Sequence, residues 1–198
     1  MSATHPTATV PPQVADLAPI DGTPKRWTSL NIVLHWTIVG LLVVQFAAGP
    51  WMAEAFRASL LPDQAAGTSV SVIAMGHMLL GTTILLLAAL RFYDSRKHGR
   101  PAHFEAEPGW ARMLAAVTHY SLYAFLIGMP IAGLIAYFGG LDWLADLHSL
   151  AAKLLIATIA LHVTGALVTQ FVFKGDVIKR MAPSRARTPE ADAVRGSS

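Results

Sequence analysis

Five histidines lie within stretches of sequence that are otherwise almost wholly apolar: His35, His77, His119, His148 and His162. A neutral imidazole has one bare nitrogen and is the commonest side-chain metal ligand. An ionisable group inside hydrocarbon is costly and marks a functional site by default. The spacing of two of the five is informative, because His148 and His162 share one long apolar run. Fourteen residues of α-helix make roughly 3.9 turns, so both imidazoles leave nearly the same face about 21 Å apart along the axis. A bilayer's hydrocarbon core is about 30 Å thick. One helix would then present a nitrogen near each side of a membrane.

Four apolar stretches position these residues, running roughly from Leu30 to Met52, Val70 to Phe92, Met113 to Phe138 and Leu144 to Phe173. Each reaches or exceeds the approximately 20 residues that cross a bilayer. Gly128, Pro130 and Gly133 predict a kink in the third. The connection after it holds Gly139-Gly140 and is short, and short connections favour antiparallel neighbours. The expected fold is an all-α integral membrane protein, a four-helix bundle with up-down-up-down topology over residues 25–181. Residues 1–24 contain five prolines and, like residues 182–198, read as a disordered tail.

Composition agrees. The chain is 54% hydrophobic and 14% charged, against about 25% charged in soluble domains. It contains no cysteine, which excludes disulfides, thiolate chemistry, cysteine-ligated clusters and covalently attached c-type haem. The net charge of +3 matters less than where the charges fall. Lys25 and Arg26 precede the first stretch; Arg91, Arg96, Lys97, Arg100 and Arg112 lie around the second connection; Lys174, Lys179, Arg180, Arg185 and Arg187 follow the fourth stretch. The opposite side has Glu54, Arg57, Asp63, Asp142 and Asp146. Lysine and arginine concentrate on the cytoplasmic side of membrane proteins, so both termini are expected there.

That topology sorts the histidines by depth. His77 and His148 form an outer level; His35, His119 and His162 share an inner one. Haem b with two axial imidazoles requires a facing pair, and two levels can supply two such sites. The inner level has one histidine too many, and depth alone does not choose. His5, His98 and His103 fall in a tail or loop and read as solvated. Lys153, inside the fourth stretch, would either meet a haem propionate or an anionic donor, or snorkel and pair with Asp146. Arg26, Arg91 and Arg112 would either meet inner propionates or mark the cytoplasmic side, and the second reading is favoured. Trp36, Trp51, Trp110 and Trp143 lie where an interfacial aromatic belt is expected. The competing reading is a haem-free transport or scaffold bundle whose histidines are polar glue or transition-metal ligands.

The marks Leu34-His35-Trp36, Gly76-His77 with Gly81, Ala116-Val117-Thr118-His119-Tyr120, His148, Leu161-His162, Phe173-Lys174-Gly175-Asp176 and Lys179-Arg180-Met181 occur in that order. In this the chain resembles the bacterial cytochrome b561 family, which includes superoxide oxidase and the cytochrome b subunits of nickel–iron hydrogenases. The resemblance implies two haem b groups in the bacterial inner membrane, with His35 and His162 holding the inner one and His77 and His148 the outer. It leaves His119 outside the axial sets. It also implies electron transfer from an outer donor, superoxide or a periplasmic redox protein, to membrane quinone, with no nucleic-acid partner. Two departures stand out. Thr169 and Gln170 occupy the region where relatives often carry a further histidine. The connection before His148 is short and, with Asp142 and Asp146, acidic.

Overall fold

The structure is a computed structural model and describes residues 26–59, 68–101 and 107–182. The expected tails therefore lie outside the described residues, apart from Ala182, as do Lys25, Asp63, His5 and His103. Four long helices run α1 Ser29–Ser59, α2 Thr68–His98, α3 Gly109–Gly139 and α4 Asp142–Phe171, and a short α5 spans Val177–Met181. No strand occurs among the described residues. All four long helices contain a span apolar and long enough to cross a membrane. Their outward faces carry large apolar side chains such as Val43, Met75, Leu86, Phe138 and Ile156, as lipid contact requires.

The helices outrun the apolar stretches that reveal them. α2 continues past Phe92 through Arg96, Lys97 and His98, cations that suit the negative end of a helix. His98 is thus a helical residue rather than a loop residue. α3 runs through Pro130 as one helix. It stops at Gly140, whose φ of 60° is the left-handed conformation glycine adopts freely. Its amide donates back to the Ala136 carbonyl, and α4 begins two residues later. Asp142 in α4's first turn complements that helix's positive end.

Packing is sequential: α1 lies on α2, α2 on α3 and α3 on α4. α4 makes no comparable packing against α1 or α2. The buried core of Ile38, Ile84, Ala88, Leu126 and Leu155 draws on all four helices. Ile84, Leu126 and Leu155 follow His77, His119 and His148 by seven residues each, about 10.5 Å along a helix and nearly the same face. The core is therefore an apolar floor between two levels of histidines.

The end of the bundle where the described residues begin and end, its terminal end, is tied together by polar bonds. Asp94, only 4% exposed, accepts hydrogen bonds from Thr28 Oγ1 (2.6 Å) and Asn31 Nδ2 (3.2 Å), and meets His98 Nδ1 at 3.0 Å. Asn31, fully buried, also donates to the Arg91 carbonyl at 3.2 Å. α5 closes over α1: the Trp36 indole donates to the Met181 carbonyl at 2.9 Å and Arg26 to the Lys179 carbonyl at 3.3 Å. On α5 itself, the hydrogen bond from Lys179 holds the exposed Asp176 carboxyl below its ordinary range.

Candidate functional site: two levels of facing imidazoles

The structure brings the five intramembrane histidines together in two groups. At the distal level, away from the termini, the rings of His77 and His148 have centres 6.2 Å apart. At the terminal level, His35 and His162 have centres 6.3 Å apart. In both pairs the ring planes are rotated by 67°. An ion held between two imidazoles on opposite sides at about 2.0–2.1 Å, with each nitrogen about 1.1 Å from its ring centre, separates the centres by about 6.2–6.4 Å. Both pairs meet that spacing. His119 lies 4.9 Å from His162, too close for an ion between them in this geometry.

Each pair spans a gap between helices that do not pack on each other. His35 on α1 and His77 on α2 both face α4, which is packed only against α3 and α5. A flat macrocycle needs such a gap, with one imidazole on either side. A bare metal ion does not fit as well: among the described residues, no group of three or more histidine, aspartate or glutamate side chains converges to hold one.

The nitrogens are prepared differently. His148 Nδ1 lies 3.1 Å from the Met129 carbonyl, which can only accept, so Nδ1 carries the proton and Nε2 is left bare for a metal. His119 Nδ1 donates to the Ala115 carbonyl at 2.6 Å, so its Nε2 is likewise an acceptor. His77 Nδ1 is buried without a partner. Gln45 fixes the backbone beneath that ring, donating to the His77 carbonyl at 3.0 Å.

Glycine makes room at one point that the sequence assigned to a kink. A Cβ on Gly133 would stand 3.1 Å from His148 Cε1 and 3.2 Å from Nδ1, so any larger residue would press the ring out of this position by a few tenths of an ångström. Gly40, Gly76 and Gly165 meet no protein atom within 4 Å of such a Cβ, and Gly81 meets only Gln45. Around the distal pair is a cavity of about 680 Å³, within the range that holds cofactor-sized ligands. Phe46, Met78 and Leu126 are among its apolar lining, and Asp142, Asp146 and Lys153 its charges. Lys153 is exposed and forms no ion pair with Asp146.

The terminal level is more crowded. Arg91 lies within electrostatic reach of His35, His119 and His162. Its guanidinium sits 5.8 Å from the centre of the Tyr123 ring, and Nη1 is 3.4 Å from that residue's hydroxyl. Nearby, Arg100 covers Tyr120 at 5.2 Å. Thr169 is buried, and the Gln170 side-chain oxygen accepts from the Ile178 amide at 3.3 Å, which leaves that side chain's NH2 as its spare donor. Sequence reasoning missed the Asn31–Asp94 network and Gln45. Their signal was available as polar residues interrupting apolar helices, but polarity alone does not name a partner.

Four membrane helices holding pairs of facing imidazoles across an internal gap define the architecture of a membrane b-type cytochrome. Comparison with known proteins agrees. A profile of the prokaryotic cytochrome b561 family matches residues 26–184, and the chain belongs to that family. It is 30% identical over 159 residues to a cytochrome b562 of Cereibacter sphaeroides, covering 80% of this chain and 96% of the relative. It is 26% identical over 182 residues to a probable superoxide oxidase, CybB, of Yersinia pestis (81% and 98% covered). A third relative, cytochrome b561 homolog 1 of Escherichia coli K12, is 22% identical over 186 residues.

Proposed function

We propose that the chain is a di-haem b cytochrome of the bacterial inner membrane that carries electrons from a donor at the distal face to membrane quinone at the terminal face. His77 and His148 hold the distal haem, and His35 and His162 the terminal one. Both termini are cytoplasmic, so distal is outer and terminal is inner. The observation that carries this reading is the match of both ring separations to an ion held between two imidazoles, at two heights on one helix. Bound haem supplies a one-electron couple at each height.

The protein's own residues do the rest. With an imidazole from each of two helices, His77 with His148 and His35 with His162 would hold the haem groups so that no position is left for oxygen, which favours electron transfer. The Met129 carbonyl orients His148, and Gly133 lets its ring come close to α3. The apolar floor of Ile84, Leu126 and Leu155 separates the two sites and excludes water between them. At the inner end, Gln170 and Thr169 can hydrogen-bond a quinone carbonyl but cannot hold a proton near neutral pH. Protons for quinone reduction therefore come from other groups or from water.

Two sources of electrons fit the outer face. The acidic rim of Asp142 and Asp146 favours a cationic or neutral redox protein over an anion. Oxidation of superoxide by the chain alone is the second reading, favoured by the relative named as a probable superoxide oxidase and by Lys153 on the cavity wall. Purified protein given a superoxide source and a water-soluble quinone separates them. Quinone reduction well above background establishes the enzyme; none assigns the chain to a separate donor. The whole reading is tested by the visible spectrum: Soret and α bands of b haem are expected, and a colourless protein from haem-replete cells overturns it in favour of a haem-free bundle.

A further inference from the structure

Arg91 is the most conspicuous group that the electron path leaves unused. It is 8% exposed, its Nε is buried without a partner, and among the described residues no carboxylate forms an ion pair with it. A guanidinium in this setting is costly unless an anion meets it. Asp94, one turn further on, is committed to Thr28, Asn31 and His98. Tyr123 supplies only a hydroxyl and a ring face.

The register says where that anion belongs. Arg91 follows His77 by fourteen residues, the same interval that separates His148 from His162. α2 and α4 therefore repeat the same layout, and on α2 the inner position holds an arginine in place of a second imidazole. Its backbone is pinned by the bond from Asn31 to its carbonyl. His119 cannot take over as donor, because its proton is given to Ala115. Arg91 is thus the one buried cation in reach of all three inner imidazoles among the described residues.

Building on the di-haem reading, we infer that Arg91 is a cofactor-binding residue that grips a carboxylate of the inner haem, a propionate, through its free guanidinium nitrogens. A planar fork of N–H donors suits a carboxylate, and the low dielectric strengthens the pair. The arginine thereby sets the in-plane orientation of a group whose axial ligands alone leave it free to rotate.

The test is a cycle on haem release. Wild type, Arg91→Gln and Arg91→Lys, each as full chain in detergent, are loaded with iron protoporphyrin IX or with its dimethyl ester, and transfer to a haem scavenger is timed. With the free acid, Arg91→Gln should speed one of the two release phases by about ten- to a hundredfold, the range of a charge-assisted bond. Arg91→Lys should speed it less. With the ester, wild type should release that haem as fast as Arg91→Gln does, and the substitution should add nothing further. Equal effects of Arg91→Gln on acid and ester overturn the assignment, as does no effect on either. If Arg91→Gln does not fold, the comparison of acid and ester in wild type decides: identical slow phases for both overturn it. Slower reoxidation by quinone without coupling to the ester gives Arg91 to the quinone instead and also overturns it. A wild type that takes up no haem defeats the di-haem reading itself, a distinct result.

Discussion

At the distal level two histidines face each other beside a roomy cavity with an acidic rim. At the terminal level three histidines crowd around a buried arginine, closed off by α5 and the Asp94 network. The imidazole spacing is nearly the same in both, 6.2 and 6.3 Å, so the two levels offer the same pair geometry in different surroundings. The lesson is that α4 sets the spacing of the two levels through one interval of fourteen residues, and the other helices set how open each level is. On the proposed reading, the open distal site suits exchange with a soluble donor. At the terminal level the buried Arg91 guanidinium would favour the reduced, less positive form of a haem bound there.

The largest effect that separates the levels comes from the histidines. His148→Ala should halve the haem bound per chain by removing the outer group, and His162→Ala should halve it by removing the inner one, as read by pyridine haemochrome content. The two remaining spectra should differ from each other. Loss of both haems from either variant, with helicity retained, would break the two-level comparison. His119→Phe sharpens it further: because that ring stands 4.9 Å from His162, haem content should stay at the wild-type value.

Next in size is the carboxylate network. Asp94→Ala removes the acceptor for Thr28 and Asn31 and should cost about 1–3 kcal/mol of stability, seen as a lower unfolding temperature in detergent. The outer haem should be the less affected of the two. Smaller still, Gly133→Ala places a Cβ 3.1 Å from His148 and should perturb the spectrum and midpoint of the outer haem alone. Gln45→Ala, which loses one bond to the His77 carbonyl, should lower stability by about 0.5–1.5 kcal/mol, with outer-haem retention reduced first. A change confined to the inner haem in either variant would contradict the assignment of these residues to the distal level.

Much of this was legible in the residues. Apolar length gave four spans, and Gly139-Gly140 gave the tight turn before α4. The interval from His148 to His162 gave two levels, because helical periodicity converts fourteen residues directly into a depth. What was not legible has a common physical cause. Hydropathy finds where the lipid lies, and helices continue beyond it, so His98 read as a loop residue although it is helical. Which glycine makes room for an imidazole depends on the rotation of one helix about its axis, which periodicity fixes only to within a face; hence Gly133 was read as a kink. Depth also could not choose between His35 and His119. The distances to His162 separate them, since only one allows an ion between the rings.

The most direct test of two facing imidazole pairs is a quantitative low-temperature electron paramagnetic resonance spectrum of the oxidised, purified full chain. Two distinct low-spin ferric signals, each integrating to one spin per chain, are predicted. A single low-spin signal, or a dominant high-spin signal from iron with one open axial position, would contradict the account.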